Sequence, residues 1–291
     1  MAVSELDIRL WRDPVLGRNG TELQSGNGRR FGPLIRNEVT IAVVTSGMLR
    51  YRVGRSEAVA GAGQMVLVGA GEAFAGETPD GWSWRVFYPD LDTLADMASR
   101  LPAGPPPRGP QPTAGGDGEY VRRLMTLHRA IEANADNPLA RQQAFAEAMG
   151  LVLASGALPS SHPRSDSRAI RRAIECVKAR FSDPELSVAE LAAAAGYSPY
   201  HFMRSFQAAV GVTAHSYVVQ CRVHAARALL ADGVPAAEVA SAAGFADQSH
   251  LIRQFKAVHG ITPGLFAEGC RRRAERRPAA VGERLGAISR R

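Results

Sequence analysis

The sequence predicts an α+β protein of two domains, an N-terminal β-barrel followed by a C-terminal all-α domain. Three observations carry this. Strand-like runs broken by turn signals fill residues 1 to about 100. Amphipathic helical patterning takes over from Tyr120. A segment with the layout of two short helices around a glycine then occurs twice near the C-terminus. A length of 291 residues also suits two domains.

The strands come first. IAVVTSGMLRYRVG reads as a strand, a Ser46-Gly47 turn and a second strand ending at Gly54. QMVLVGAGEAF follows the turn-like Gly61 to Gly63. WSWRVFY alternates, with Trp82, Trp84, Val86 and Tyr88 on one face and Ser83, Arg85 and Phe87 on the other. Short strands punctuated in this way argue for a sandwich or barrel, expected over residues 1–118. The last stretch of that span, LPAGPPPRGPQPTAGGDG, holds too much Pro and Gly for a helix.

A helical hairpin is expected over residues 119–156. In its first helix Val121, Leu124, Met125, Leu127, His128 and Ile131 fall mostly on one stripe. Asn137-Pro138 restarts the chain, with Pro138 suited to a first helical turn. Leu139, Phe145, Met149, Val152 and Leu153 then carry the second helix. Such a hairpin suits dimerisation, and a homodimer is expected. The plainer use of its stripe is to cover the barrel. Residues 157–167 read as a polar linker, 168–270 as the helical domain, and 271–291 as a basic disordered tail.

Charge separates the two halves. From Arg168 onward there are 18 Lys plus Arg against 10 Asp plus Glu, a net of +8, while the remainder holds 17 against 18, a net of −1. A basic excess confined to one part is the electrostatic footprint of phosphate binding. No apolar run approaches the ~18 residues of a membrane span, and the N-terminus lacks a signal-peptide pattern. A cytoplasmic location is expected. Cys176, Cys221 and Cys270 form no CxxC pair, so they read as small apolar residues rather than disulfide or zinc ligands.

The repeat can be read residue by residue. The first copy, AELAAAAGYSPYHFMRSFQAAVGVT, begins at Ala189; the second, AEVASAAGFADQSHLIRQFKAVHGIT, begins at Ala237. Glu190 matches Glu238, Gly196 matches Gly244, and after a one-residue insertion Arg204 matches Arg253 and Phe206 matches Phe255. This is a helix-turn-helix signal. Ser187 caps the first helix, Gly196 makes the turn, and Ser198-Pro199 opens the second helix. Phe202 and Phe206 should be buried, leaving Tyr200, Met203, Arg204 and Gln207 outward.

In the second copy Asp247 caps, Leu251 and Phe255 pack, and Gln248, Ser249, His250, Ile252 and Arg253 face out. Gln and Arg read adenine and guanine edges bidentately, and Ile contacts a thymine methyl. Lys256, with Ser198 and Gln207 in the first unit, suits phosphates. Between the copies Ala214 to Ala231 should form one helix of ~27 Å, closed by Asp232-Gly233. A bar of that length can hold two recognition helices near the ~34 Å spacing of successive major-groove faces.

Residues 168–270 resemble the AraC/XylS family DNA-binding domain. The tracts GFADQSHLIRQFKAVHGITPGLF and RVHAARALL carry the resemblance. It implies seven helices, two helix-turn-helix units and transcriptional control. It also implies groove contacts from Tyr200, Met203, Arg204, Gln248, Ser249, His250, Ile252 and Arg253, with RNA polymerase a further candidate partner. The chain departs from the family pattern at Met203 and Gln207, where polar Gln and basic Lys are frequent, so the second unit is the better matched reader.

The first hundred residues are similar to the cupin-type ligand-binding domain of such regulators, through SGMLRYRVG, GAGQMVLVGAGEAFAGE and GWSWRVFYPD. Phe74 stands where many relatives carry histidine, and no histidine or cysteine precedes His128. A metal-dependent oxygenase needs a cluster of such ligands, so no metal or cofactor is expected. Arg36, Glu38, Arg50, Trp82 and Trp84 are the candidate contacts to a small organic effector in the barrel mouth. Two other readings compete: a cupin-like enzyme or sugar-binding module with an accessory helical domain, and an effector-free architectural DNA binder.

Overall fold

The computed structural model describes residues 7–17, 20–54, 56–99, 118–132, 137–154 and 168–274. The linker at 157–167, the Pro/Gly-rich stretch at 101–117 and the tail beyond Ala274 lie outside the described residues. Among the described residues six strands form one antiparallel sheet: β1 (Asp7–Asp13), β2 (Thr21–Ile35), β3 (Thr40–Val53), β4 (Ser56–Gly61), β5 (Met65–Val68) and β6 (Ala73–Tyr88). Their order is β1-β2-β6-β3-β4, with β5 paired to β3. Register shifts in β2–β6 near Gly28 and Phe31, and in β3–β6 near Val44 and Gly47, bend the long strands into a cup.

The expected Ser46-Gly47 turn is not there. β3 runs through it without a break, because both of its halves stay paired to β6. Gly47 makes a bulge instead, with φ +72, and a Cβ there would meet the Gly81 carbonyl oxygen at 2.4 Å. The bulge divides the strand's other partners. Thr40 to Val43 pair with β5, and Met48 to Val53 pair with β4.

The pleat sorts the sheet's side chains as the alternation in β6 predicts. Trp82, Val86 and Tyr88 join Ala42, Val44 and Leu49 inside the cup. Phe87 faces the other way, with Leu23, Ile41, Val43, Met65 and Leu67. That outer face is covered by α1 (Leu91–Ser99), α2 (Gly118–Glu132) and α3 (Pro138–Ala154). The stripe of Val121, Leu124, Leu127 and Ile131, with Phe145, Met149 and Val152, is buried against it. The hairpin's apolar face thus covers the outside of its own chain's sheet. Leu139, expected on that face, is instead 72% exposed.

His128 is the polar exception on the stripe. It is fully buried, accepting from Arg85 Nη1 at Nδ1 (2.8 Å) and donating from Nε2 to the Gln24 carbonyl (3.0 Å). Burial, and then the Arg85 charge, push its pKa down to about 4.

Among the described residues seven helices make the second half: α4 (Arg168–Arg180), α5 (Val188–Ala195), α6 (Pro199–Val210), α7 (Ala214–Ala231), α8 (Ala236–Ala242), α9 (Gln248–His259) and α10 (Pro263–Ala274). α7 is the single 18-residue helix expected between the repeats. It divides two cores. Ala214, Tyr217 and Val218 pack with Leu191, Phe202 and Phe206, while Val219, Val223 and Leu230 pack with Val239, Leu251 and Phe255. α10 continues four residues past Cys270, and the three cysteines are half-buried and free.

The two halves are docked along α7. Gln220, His224 and Arg227, at i, i+4 and i+7, share one helix face. Ile35 N donates to Gln220 Oε1 (2.6 Å), and His224 Nε2 donates to the Ile35 carbonyl (2.5 Å). The free backbone groups at the end of β2 are therefore satisfied by side chains from the helical half. Arg227 pairs with Glu22 (3.1 Å) and with Glu38. At the other edge, Gly269 on α10 lets the Leu10 carbonyl of β1 approach to 2.9 Å of where a Cβ would stand.

Candidate nucleic-acid interface and effector cavity

The local chemistry of each repeat places its second helix. Ser187 and Glu190 form a reciprocal capping box on α5. Gly196, at φ +72, closes that helix, with Gly196 N donating to the Ala193 carbonyl. Ser198 then caps α6, its hydroxyl oxygen accepting from His201 N at 3.4 Å, with Pro199 in the first turn. In the second repeat Asp247 Oδ1 accepts from His250 N at 2.7 Å and caps α9. Gly244 sits at φ +80, and a Cβ there would lie 2.5 Å from the Ser182 carbonyl oxygen. Only a glycine allows the α8–α9 turn to lie this close to the loop after α4.

These caps bury one face of each helix and present the other. On α6, Phe202 and Phe206 are fully buried, whereas Tyr200 (67%) and Met203 (47%) are exposed along with Arg204 and Gln207. The Arg204 guanidinium lies 5.8 Å from the Tyr200 ring, with Nη1 3.5 Å from its hydroxyl. Ser198 is exposed and retains its O–H for a phosphate. On α9, Leu251 and Phe255 are fully buried, and Gln248, Ser249, Ile252, Arg253 and Lys256 are exposed. His250 is only half-buried, its ring edge-on to Phe245 at 5.4 Å. His201, which the sequence reading did not single out, is exposed on α6 and packs on Tyr197 at 4.4 Å. Its signal was present, since it stands one residue from Tyr200 on the outward side.

The barrel holds a cavity of about 80 Å³ for the centre of a water molecule. Trp82, Trp84, Phe31, Phe74 and Tyr88 line it with Arg36. Phe74 packs edge-on against Phe31 (4.8 Å) and makes this wall apolar. Val258 and His259, from the last turn of α9, belong to the same wall. The cavity is therefore closed partly by the second recognition helix.

The five residues expected to meet an effector separate here. Trp82, Trp84 and Arg36 line the cavity. Arg36 is 6% exposed; its guanidinium stacks 3.6 Å over the Tyr88 ring, lies 3.4 Å from Glu22 and contacts His259. Glu38 is not in this cavity. It lines a cleft of about 430 Å³ between barrel and α7, together with His224 and Arg227. Burial pulls the Glu38 pKa up, but Arg227 and then Arg36 hold it well below the carboxylate range. Arg50 is exposed opposite Val59 and Glu77, because strand alternation turns it away from its buried neighbours Leu49 and Tyr51. His224 has its pKa pushed down to about 4 by burial first, Arg227 adding to this. Among the described residues no group of three or more His, Cys, Asp or Glu is placed to hold a metal, and no helix is long and apolar enough to cross a membrane.

A cup that encloses an apolar cavity, docked to two helix-turn-helix units with exposed recognition faces, defines a ligand-binding DNA-binding regulator. Residues 191–269 match the family described as a helix-turn-helix domain, and residues 21–149 match the AraC-like ligand binding domain. The chain belongs to the AraC/XylS family of transcriptional regulators. Its fold is similar to that of ToxT from Vibrio cholerae O395 (TM-score 0.52, 12% identity, 91% of this chain and 98% of that one). It is equally similar to ToxT bound to (E)-4-(8-methylnaphthalen-1-yl)but-3-enoic acid (TM-score 0.52, 12% identity, 92% and 100%). The apo K231A form from strain SCE256 superposes with a TM-score of 0.54 at 12% identity, covering 92% and 98%. No curated protein sequence matches the chain.

Proposed function

We propose that this cytoplasmic regulator reads DNA chiefly through α9, with Gln248, Ser249, Ile252 and Arg253 on base edges and Lys256 on a phosphate. α6 is the second reader, through Tyr200, Met203 and Arg204, with Ser198 and Gln207 on phosphates. α7 holds both on one bar, so a single chain spans two successive stretches of major groove. An organic effector occupies the barrel cavity, in keeping with the acid bound by ToxT. One observation carries the link between the two activities: Val258 and His259 of α9 are cavity wall. An effector that touches α9 only in the docked arrangement binds that arrangement better and raises its population.

Footprinting with the full chain tests the reading. Two protected segments about one helical turn apart, on one face of the duplex, are expected. A single short segment, or salt-sensitive protection without sequence preference, overturns it.

A further inference from the structure

The barrel cavity is lined by two residues with buried nitrogen donors that have no partner. These are Arg36 Nε and His259 Nε2. A guanidinium has no acceptor, so in the 3.4 Å contact between them Arg36 Nη2 donates and His259 Nδ1 accepts. That puts the imidazole proton on Nε2. His259 stays neutral, because burial first, and then Arg36 and Arg227 beside it, hold its pKa well below the usual histidine range. Two N–H groups thus lack an acceptor in a place where an unpaired donor is costly.

The charge of the wall decides which acceptor suits them. Among the described wall residues Arg36 is the one cation, and Glu22 lies 3.4 Å from it. Arg227, which also pairs with Glu22 (3.1 Å), is paired with Glu38 as well, so two carboxylates match the two arginines. The wall also carries Glu72, whose carboxylate accepts from Gly69 N. An incoming anion meets no net positive charge here, and a charge buried without compensation is strongly unfavourable. The rest of the wall is aromatic. The Trp82 and Trp84 rings lie 5.4 Å apart at 32°, with Phe31 5.7 Å from Trp82.

We propose that the cavity takes a neutral, planar aromatic compound whose carbonyl oxygen accepts a hydrogen bond from His259 Nε2, the donor directed away from Arg36. This rests on the cavity being the effector site and names the effector's chemistry. It also makes the ligand's polar end touch α9, so the atom that distinguishes the ligand is read by the recognition helix.

Three near-isosteric probes separate the alternatives: 2-acetylnaphthalene, 2-naphthoate and 2-isopropylnaphthalene, each titrated calorimetrically into the full chain. The ketone should bind at least about tenfold more tightly than the acid or the hydrocarbon. His259→Phe, which keeps a ring but removes the donor, should cut the ketone's lead over the hydrocarbon to about threefold or less. His259→Gln, which restores a donor, should keep that lead. A naphthoate that binds as well as the ketone, or a ketone no better than the hydrocarbon, overturns the assigned chemistry and leaves the cavity as a binding site. Absence of binding by all three overturns the cavity as effector site, and this proposal with it. The wild-type comparison decides the matter even where His259→Phe fails to fold.

Discussion

Acidification from pH 7 to pH 5 should destabilise the protein through its buried histidines. His128 and His224 are held neutral in the fold with pKa values near 4, against an ordinary 6.5. A group depressed in this way is charged in the unfolded chain first. The unfolded state therefore binds more protons between pH 6.5 and 4, and stability falls as the pH drops through that window. From pH 7 to pH 5 each histidine costs about 2 kcal/mol, or about 4 kcal/mol for the pair. His259, lowered in the same direction, adds to the loss. Glu38 works in no opposite sense here, because Arg227 and Arg36 keep it ionised far below this window. Against a typical total of about 5–15 kcal/mol, the effect is large.

Urea denaturation at the two pH values measures it. His224→Gln isolates the junction: the amide nitrogen can still donate to the Ile35 carbonyl but does not titrate. That variant should lose about 2 kcal/mol of the pH dependence. Equal stability at pH 7 and pH 5, or full pH dependence retained in His224→Gln, refutes the assignment of neutral buried imidazoles.

Other outcomes follow from the same structure. Gly244→Ala should destabilise by roughly 2 kcal/mol or more, since φ +80 and the Ser182 carbonyl at 2.5 Å both oppose a Cβ; Gly233→Ala, with the same sign of φ but open space around it, should cost about 1 kcal/mol in the same melting experiment. Phe255→Ala, at the centre of the second core, should cost about 3–5 kcal/mol and abolish DNA binding at elevated temperature before the Ser187→Ala cap variant, whose cost is about 1 kcal/mol. Lys256→Ala should weaken binding evenly across sequences and lower the salt slope by about 1.

The parts of this molecule that were legible in sequence are those fixed by neighbours in the chain. Ser187, Ser198 and Asp247 cap as expected because a cap needs only the next three residues. Gly196 and Gly244 turn as expected because positive φ is a local demand. The alternation of Trp82, Val86 and Tyr88 against Phe87 follows from the pleat alone. Ser46-Gly47 shows the limit of such reading. A local turn signal and a bulge use the same residues, and continued pairing of β3 with β6 decides between them.

The cavity was legible only in part, because its polar end is assembled from distant segments. Arg36 meets His259 across 223 positions, and Glu38 is drawn to Arg227 across 189. No periodicity records such contacts. Val258 and His259 read locally as the end of a recognition helix, and only docking makes them cavity wall. Arg50 and Glu38 carried the right chemistry for a ligand but occupy other surfaces. His128 looked like a member of an apolar stripe. It is a buried polar contact to Arg85, whose outward place in β6 was the available clue.

On the function proposed above, α9 reads base identity through Arg253. Selection of bound sequences from a random duplex pool, run in parallel with the full wild-type chain and with Arg253→Ala, tests it most directly. The variant should lose preference at one base position, at a cost of about 1–3 kcal/mol, and keep its preferences elsewhere. An even loss of affinity with the selected sequence unchanged would make Arg253 a phosphate contact and rule out base reading by this residue.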